Sequence, residues 1–187
     1  MKLLAFTGKM GSGKSTAVGL LHSLASPSFH NIKFAGPLYD MQEYIYRRIH
    51  KSHTRPPEFI KDRKLLQWLG TEWGRETIDK NIWVNVWKGD VIDASRHYPS
   101  QIILCDDCRF DNEAVAVREL GGHVVQITTD KSAERINTGA GITNHVSEIG
   151  VDKNLISYTI INNGSVDDLR NALLEMNAKL KIWNNQS

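Results

Sequence analysis

Lys2-Leu3-Leu4-Ala5-Phe6-Thr7 leads directly into Gly8-Lys9-Met10-Gly11-Ser12-Gly13-Lys14-Ser15-Thr16. The first six residues predict a short apolar strand. Val18, Leu21 and Leu24 then recur at helical spacing and predict a helix over residues 14–24. Between strand and helix, residues 8–15 match the whole of G-x-x-x-x-G-K-[ST], in the setting which that pattern requires. Glycines let such a loop curl until several amides face one phosphate group. The start of the helix adds favourable partial charge. Gly8, Lys9, Met10, Gly11, Ser12, Gly13, Lys14, Ser15 and Thr16 are therefore candidate nucleotide-phosphate ligands. Lys14 is placed to reach the β- and γ-phosphates, and Ser15 to ligate Mg²⁺, with Thr16 one step behind.

Working outward, residues 31–34 read as a second strand ended by Ala35-Gly36-Pro37, and residues 38–49 as a helix. Residues 52–58 form a polar loop. Residues 63–73 read as a helix that closes near Gly74 or continues through it. Residues 81–94 place Trp83, Val84, Trp87 and Val91 on one side of a further helix. Strands are expected over 101–105, 123–128 and 155–161, with a helix over 112–120 stopped by Gly121-Gly122. Asn162-Asn163-Gly164 turns the last strand. Ser165 is expected to cap a final helix over 166–183, with Asp167 and Asp168 favourable in its first turn. The polar, glycine-containing stretch 132–146 reads as a loop or lid. Alternation of strands with helices, and apolar strands lacking a polar face, predict an α/β fold: three α/β/α layers, a mostly parallel sheet and a small lid.

The 187 residues suit one domain with a small lid. Lys plus Arg is 23 and Asp plus Glu is 21, so the formal charge is only +2. Such balance argues against stable nucleic-acid binding as the main role, while leaving room for a local basic pocket. No run of about 18 apolar residues occurs, so no membrane partner is expected. The apolar start meets glycine and lysine too early for a secretory signal, and a cytoplasmic protein is the expectation. Two cysteines exclude a dense disulfide framework.

Residues 102–107, Ile-Ile-Leu-Cys-Asp-Asp, carry two carboxylates at the end of an apolar strand. Ligands of open α/β sheets bind outside the carboxyl ends of strands. Asp106 or Asp107 is thus expected to hold the magnesium water shell or to orient a phosphate acceptor. Adjacent strand residues face opposite ways, so one role falls to one of them.

Three further stretches join the loop at 8–15: Gly70-Thr71-Glu72-Trp73-Gly74-Arg75, Asp107-Cys108-Arg109-Phe110-Asp111-Asn112-Glu113-Ala114 and His145-Val146-Ser147-Glu148. The ordered set, over roughly residues 1–165, resembles the bacteriophage deoxynucleoside monophosphate kinases. The resemblance implies a P-loop kinase fold and ATP- and Mg²⁺-dependent transfer to a deoxynucleoside monophosphate. It also implies one domain with a helical monophosphate-binding region at about 35–95 and a lid at about 130–148. A phage origin would place the protein in the host cytoplasm. Lys14, Asp107, Arg109 and Arg135 become the expected catalytic residues, with Ser15 and Asp107 holding Mg²⁺ directly or through water. Lys33, Arg63, Trp73, Arg75, Arg109, His145 and Glu148 become the expected monophosphate ligands. Two departures stand out. Tyr39 occupies a position where relatives often carry lysine, a role that is then vacant or filled elsewhere, with Lys33 a candidate. Asp111 stands where proline is common.

The chemistry suits these residue types. Phosphoryl transfer asks a protein to align two anions and neutralise charge, with little covalent work. Guanidinium binds phosphate with paired donors, which favours Arg75 and Arg109 on the acceptor side. Arg135 is expected to enter from a closing lid and exclude water. Cys105 and Cys108 form a lone C-x-x-C without the second pair or histidines of a zinc site, so buried thiols are expected. Trp83 and Trp87 are expected in the core, and Trp73 at the acceptor pocket. Other small-molecule P-loop kinases, acting on dephospho-coenzyme A or a ribonucleoside monophosphate, share the loop and the size. A non-enzymatic nucleotide-dependent interaction module shares the loop alone. Neither base preference nor the choice between monomer and homodimer is written in these motifs.

Overall fold

The computed structural model describes residues 1–24, 29–50, 61–130 and 150–183. Five strands form one sheet: β1 Lys2–Thr7, β2 Phe29–Asn31, β3 Ile102–Cys105, β4 His123–Thr128 and β5 Tyr158–Ile161. Their order is β2-β3-β1-β4-β5, and every neighbouring pair is parallel. The helices are α1 Lys14–Leu24, α2 Gly36–His50, α3 Arg63–Gln67, α4 Ile82–His97, α5 Asp111–Glu119 and α6 Val166–Leu180.

Side-chain alternation along buried strands builds two cores. Leu4 and Phe6 of β1, with Ile102 and Leu104 of β3, meet Leu21 of α1 and Leu173 of α6 on one face. Leu3 and Ala5, with Ile103 and Cys105, meet Trp87 and Val91 of α4 and Val117 of α5 on the other. The three-layer α/β/α expectation is borne out, with helices covering both faces of the sheet.

Several expected boundaries move for physical reasons. The second strand lies at 29–31 instead of 31–34. Ile32 still donates to the Leu104 carbonyl at 2.8 Å. The next amides, of Phe34 and Ala35, donate instead to the Asp107 carboxylate, both at 2.9 Å. The last strand begins at Tyr158, later than expected, because Asp152 caps a 3₁₀ turn over Lys153–Leu155 by accepting from the Asn154 amide. Ser165 caps α6 in a reciprocal box with Asp168, as expected. That helix stops at Leu180 and does not reach 183. Asn177 is buried and its Oδ1 accepts from the Ile182 and Trp183 amides, at 3.0 and 2.9 Å. This turns the chain and returns Ile182 and Trp183 to the core.

The helix at 63–73 continues through Gly74, but with a changed pitch. Asp62 caps α3, accepting from the Leu65 amide, and the chain then becomes a π-helix over Trp68–Ile78. Stretches of this kind are rare and concentrate at functional sites. Leu38, Leu66, Leu69 and Trp83 pack into a third, smaller core beside it. Trp83 donates its indole N–H to the Gly70 carbonyl at 2.8 Å. A Cβ on Gly74 would stand 2.6 Å from the Trp83 ring, so only glycine permits this approach. Gly74→Ala should lower unfolding free energy by about 1–3 kcal/mol, the range for overpacking a core. Urea denaturation measures this, and unchanged stability would contradict the packing described.

Candidate active site

The loop after β1 curls as the sequence requires. Gly8 has φ +140°, and a Cβ there would strike the Ile127 carbonyl of β4. Strand β4 therefore approaches the loop so closely that no side chain fits. The Ser12 amide donates to the Lys9 carbonyl at 3.2 Å, and Lys14 Nζ donates to the carbonyls of Gly8 and Lys9 at 2.6 and 2.9 Å. From the far side, Asn162 donates its side-chain amide to the Ser12 carbonyl at 2.9 Å, while its backbone amide donates to Thr128 at 2.7 Å. The turn after β5 thus buttresses the loop. The sequence reading treats Asn162 only as a turn residue, because the contact spans 150 positions.

A cleft of about 290 Å³ opens at the carboxyl end of the sheet. Gly8, Lys9, Met10, Ser12 and Lys14 line one side, and Cys108 and Arg109 another. Gln126, Thr128 and Thr129 at the β4 end also line it; their hydroxyl and amide groups carry no motif by which sequence alone could find them. Ser15 and Thr16 are exposed at the start of α1. The Ser12 hydroxyl is buried and has no hydrogen-bond partner among the described residues. That orphaned donor, beside amides and an ammonium, fits a loop built for an anion.

The two aspartates at the end of β3 have different surroundings. Asp107 gives one oxygen to the Phe34 amide and the other to the Ala35 amide, and also accepts from the Cys105 thiol at 3.3 Å. Its carboxylate thereby fixes the backbone between β2 and α2. Asp106 pairs through Oδ2 with Lys33 Nζ at 3.1 Å, and its Oδ1 is buried without a partner among the described residues. For Lys33, burial opposes the charge, but the Asp106 carboxylate outweighs it and raises the ammonium pKa. The two carboxylates thus differ: both oxygens of Asp107 accept backbone amides, while one oxygen of Asp106 has no partner among the described residues.

Arg109 is exposed and lines the cleft with Lys14. Arg75 is not among the lining residues. It projects from the π-helix, donates from Nη1 to the Gly70 carbonyl at 3.1 Å and pairs through Nη2 with Glu113 at 2.9 Å. Its guanidinium carbon stands 4.4 Å from the centre of the Phe110 ring. Burial lowers the guanidinium pKa, against the opposing pull of Glu113. Trp73 is half-buried and packs against Trp83, so its ring supports the π-helix. Arg63 is exposed on the first turn of α3. Lys61 donates to the Tyr39 hydroxyl at 2.8 Å, so a cation stands at that departure from the family pattern. Arg135, His145 and Glu148, with Ser147 and the expected lid, lie outside the described residues. Cys105 and Cys108 are buried free thiols, and burial drives both well above the ordinary thiol range. No group of three or more metal-ligating side chains was found among the described residues.

A parallel sheet whose first strand delivers this loop, with a carboxylate at the neighbouring strand end, defines the class: a P-loop nucleotide-binding fold. Residues 58–173 match the family described as deoxynucleotide monophosphate kinase, and the chain belongs to that family. A protein of Acanthamoeba polyphaga mimivirus that carries the same description is 28% identical over 193 residues, covering 93% of this chain and 95% of the relative. A deoxynucleoside-5'-monophosphate kinase of Escherichia phage T5 is 27% identical over 123 residues, covering 63% of this chain but only 45% of that protein. Among solved structures, a dephospho-CoA kinase of Campylobacter jejuni superposes with a TM-score of 0.53 at 18% identity, covering 96% of this chain and 98% of the other, a likeness of fold. No helix among the described residues is long and apolar enough to cross a membrane.

Glu113 is a buried carboxyl paired with Arg75. Burial raises its carboxyl to about 7, against the Arg109 amide and the Arg75 charge. The folded chain therefore holds this proton more tightly than the unfolded chain. The resulting stabilisation is fully present below the unfolded carboxyl range and is lost as pH rises to about 7. Glu113→Gln should flatten this fall when urea denaturation is compared at pH 5 and pH 8. An unchanged slope would contradict the assignment.

Proposed function

We propose that this chain transfers the γ-phosphoryl group of ATP to a deoxynucleoside 5'-monophosphate, releasing ADP and a deoxynucleoside diphosphate. The observation that carries the reading is one cleft lined by both Lys14 and Arg109 at the carboxyl end of β1 and β3. Family membership supports nucleotide substrates. An oxygen of the acceptor phosphate forms the new bond to the γ-phosphorus as the bridge to the β-phosphate breaks. The loop amides and Lys14 hold the donor phosphates and take up the charge that develops on the leaving oxygen. Arg109 and Arg75 hold the acceptor and the transferred group.

Ser15 and Asp106 would hold Mg²⁺, which when bound neutralises the donor phosphates. Asp106 is preferred over Asp107 because its Oδ1 is buried without a partner among the described residues, whereas both oxygens of Asp107 accept backbone amides. Lys33 then steadies the Asp106 carboxylate, and a direct role as monophosphate ligand is secondary to that pair.

ADP release measured with ATP or GTP, against the four deoxynucleoside monophosphates and their ribose counterparts, tests the function. Turnover should require Mg²⁺ and a deoxynucleoside monophosphate. Lys14→Ala should lower kcat by about 10²–10³-fold, the loss typical of removing one charge-stabilising donor. ADP release that ignores the monophosphate, or unaltered turnover of the variant, would refute the reading. Of the two aspartates, Asp106→Asn should raise the Mg²⁺ concentration needed for half-maximal rate. Asp107→Asn should chiefly lower the melting temperature. The reverse pattern would return the metal to Asp107.

A further inference from the structure

We infer that Glu113 is a positioning residue that locks the Arg75 guanidinium to the turn carrying Arg109, setting the two phosphate-binding cations as one unit. The inference rests on the reading above, in which both arginines meet substrate phosphates. Glu113 is 2% exposed and stands in the first turn of α5. Its Oε2 accepts from the amides of Arg109 and Phe110 at 2.8 and 3.2 Å. Its Oε1 accepts from Arg75 Nη2 at 2.9 Å, across 38 positions of sequence.

Capping alone does not explain the charge. A neutral glutamine at this place in a helix caps backbone amides as glutamate does. A buried carboxylate is costly unless paired, and here the partner is a guanidinium from another element. Three contacts fix that guanidinium: Glu113, the Gly70 carbonyl and the face of Phe110. Among the described residues, Glu113 and Gly70 engage two of its five N–H donors, which leaves capacity for a phosphate. Glu113 itself does not line the cleft, so it acts through the arginines.

Glu113→Gln keeps an oxygen for the two backbone amides and turns an amide N–H₂ toward Arg75. The Michaelis constant for the deoxynucleoside monophosphate should rise about 10–100-fold, the worth of a charge-assisted hydrogen bond, while that for ATP stays unchanged. The double variant Arg75→Ala/Glu113→Gln should match Arg75→Ala alone, because the carboxylate works through that arginine. Should Glu113→Gln fail to fold, Glu113→Asp retains the charge but cannot span both partners, and should give the same selective rise. An unchanged acceptor constant, parallel changes in both constants, or losses that add in the double variant would overturn the inference. If Arg75→Ala leaves acceptor use intact, or the wild type has no monophosphate-dependent activity, the underlying reading fails first and the inference falls with it.

Discussion

Strand β1 is enclosed on both edges and both faces. It pairs with β3 on one side and β4 on the other, and its residues 3–7 are all buried. A strand held so tightly delivers its last residue to a fixed point, and the chain beyond Thr7 must turn back within a confined space. The nearby Ile127 carbonyl decides how that turn is made, because only glycine fits at position 8. The parallel register of β3 then sets a carboxylate pair beside the same point. The glycine loop and the carboxylate pair are brought together by the pairing of strands, and the side chains refine what the sheet has already located.

Polar connections tie the helices to the carboxyl end of the sheet. Asp107 ties the end of β3 to the entrance of α2 through two backbone amides. Glu113 ties α5 to the π-helix through Arg75. These two carboxylates hold the start of α2 and the π-helix to the carboxyl end of the sheet. Their hydrogen bonds recover part of what it costs to bury charge there. The π-helix has a matching purpose: it brings the Gly70 carbonyl within reach of both Trp83 and Arg75.

Local signals were strong where structure is locally determined. The strand and helix around Gly8–Ser15, the side of α4 bearing Trp83 and Trp87, and the Ser165 cap follow from spacing and cap chemistry, and they stand as expected. The resemblance drew attention to Arg75, Arg109 and Asp107. It did not show that both oxygens of Asp107 accept the Phe34 and Ala35 amides, because that backbone is distant in sequence. Glu113 lay within a quoted motif without a role, since its partner is far away in sequence. Asn162 read as an ordinary turn for the same reason. The end of α6 escaped because Asn177, a polar residue in an apolar stripe, terminates it through buried hydrogen bonds. Apart from this local stop, the contacts that the sequence concealed are long-range polar ones around Ser12, Asp107 and Arg75.

The central claim is that one cleft joins a nucleotide-phosphate loop to an arginine-bearing acceptor site. A crystal structure with a bisubstrate analogue, adenosine and a deoxynucleoside joined by five phosphates, tests it most directly. The account predicts donor-side phosphate oxygens at about 3 Å from the amides of the Gly8–Ser15 loop and from Lys14, with the other end of the chain at Arg109 and Arg75. An analogue bound with its deoxynucleoside end away from both arginines, or bound outside the loop, would contradict it.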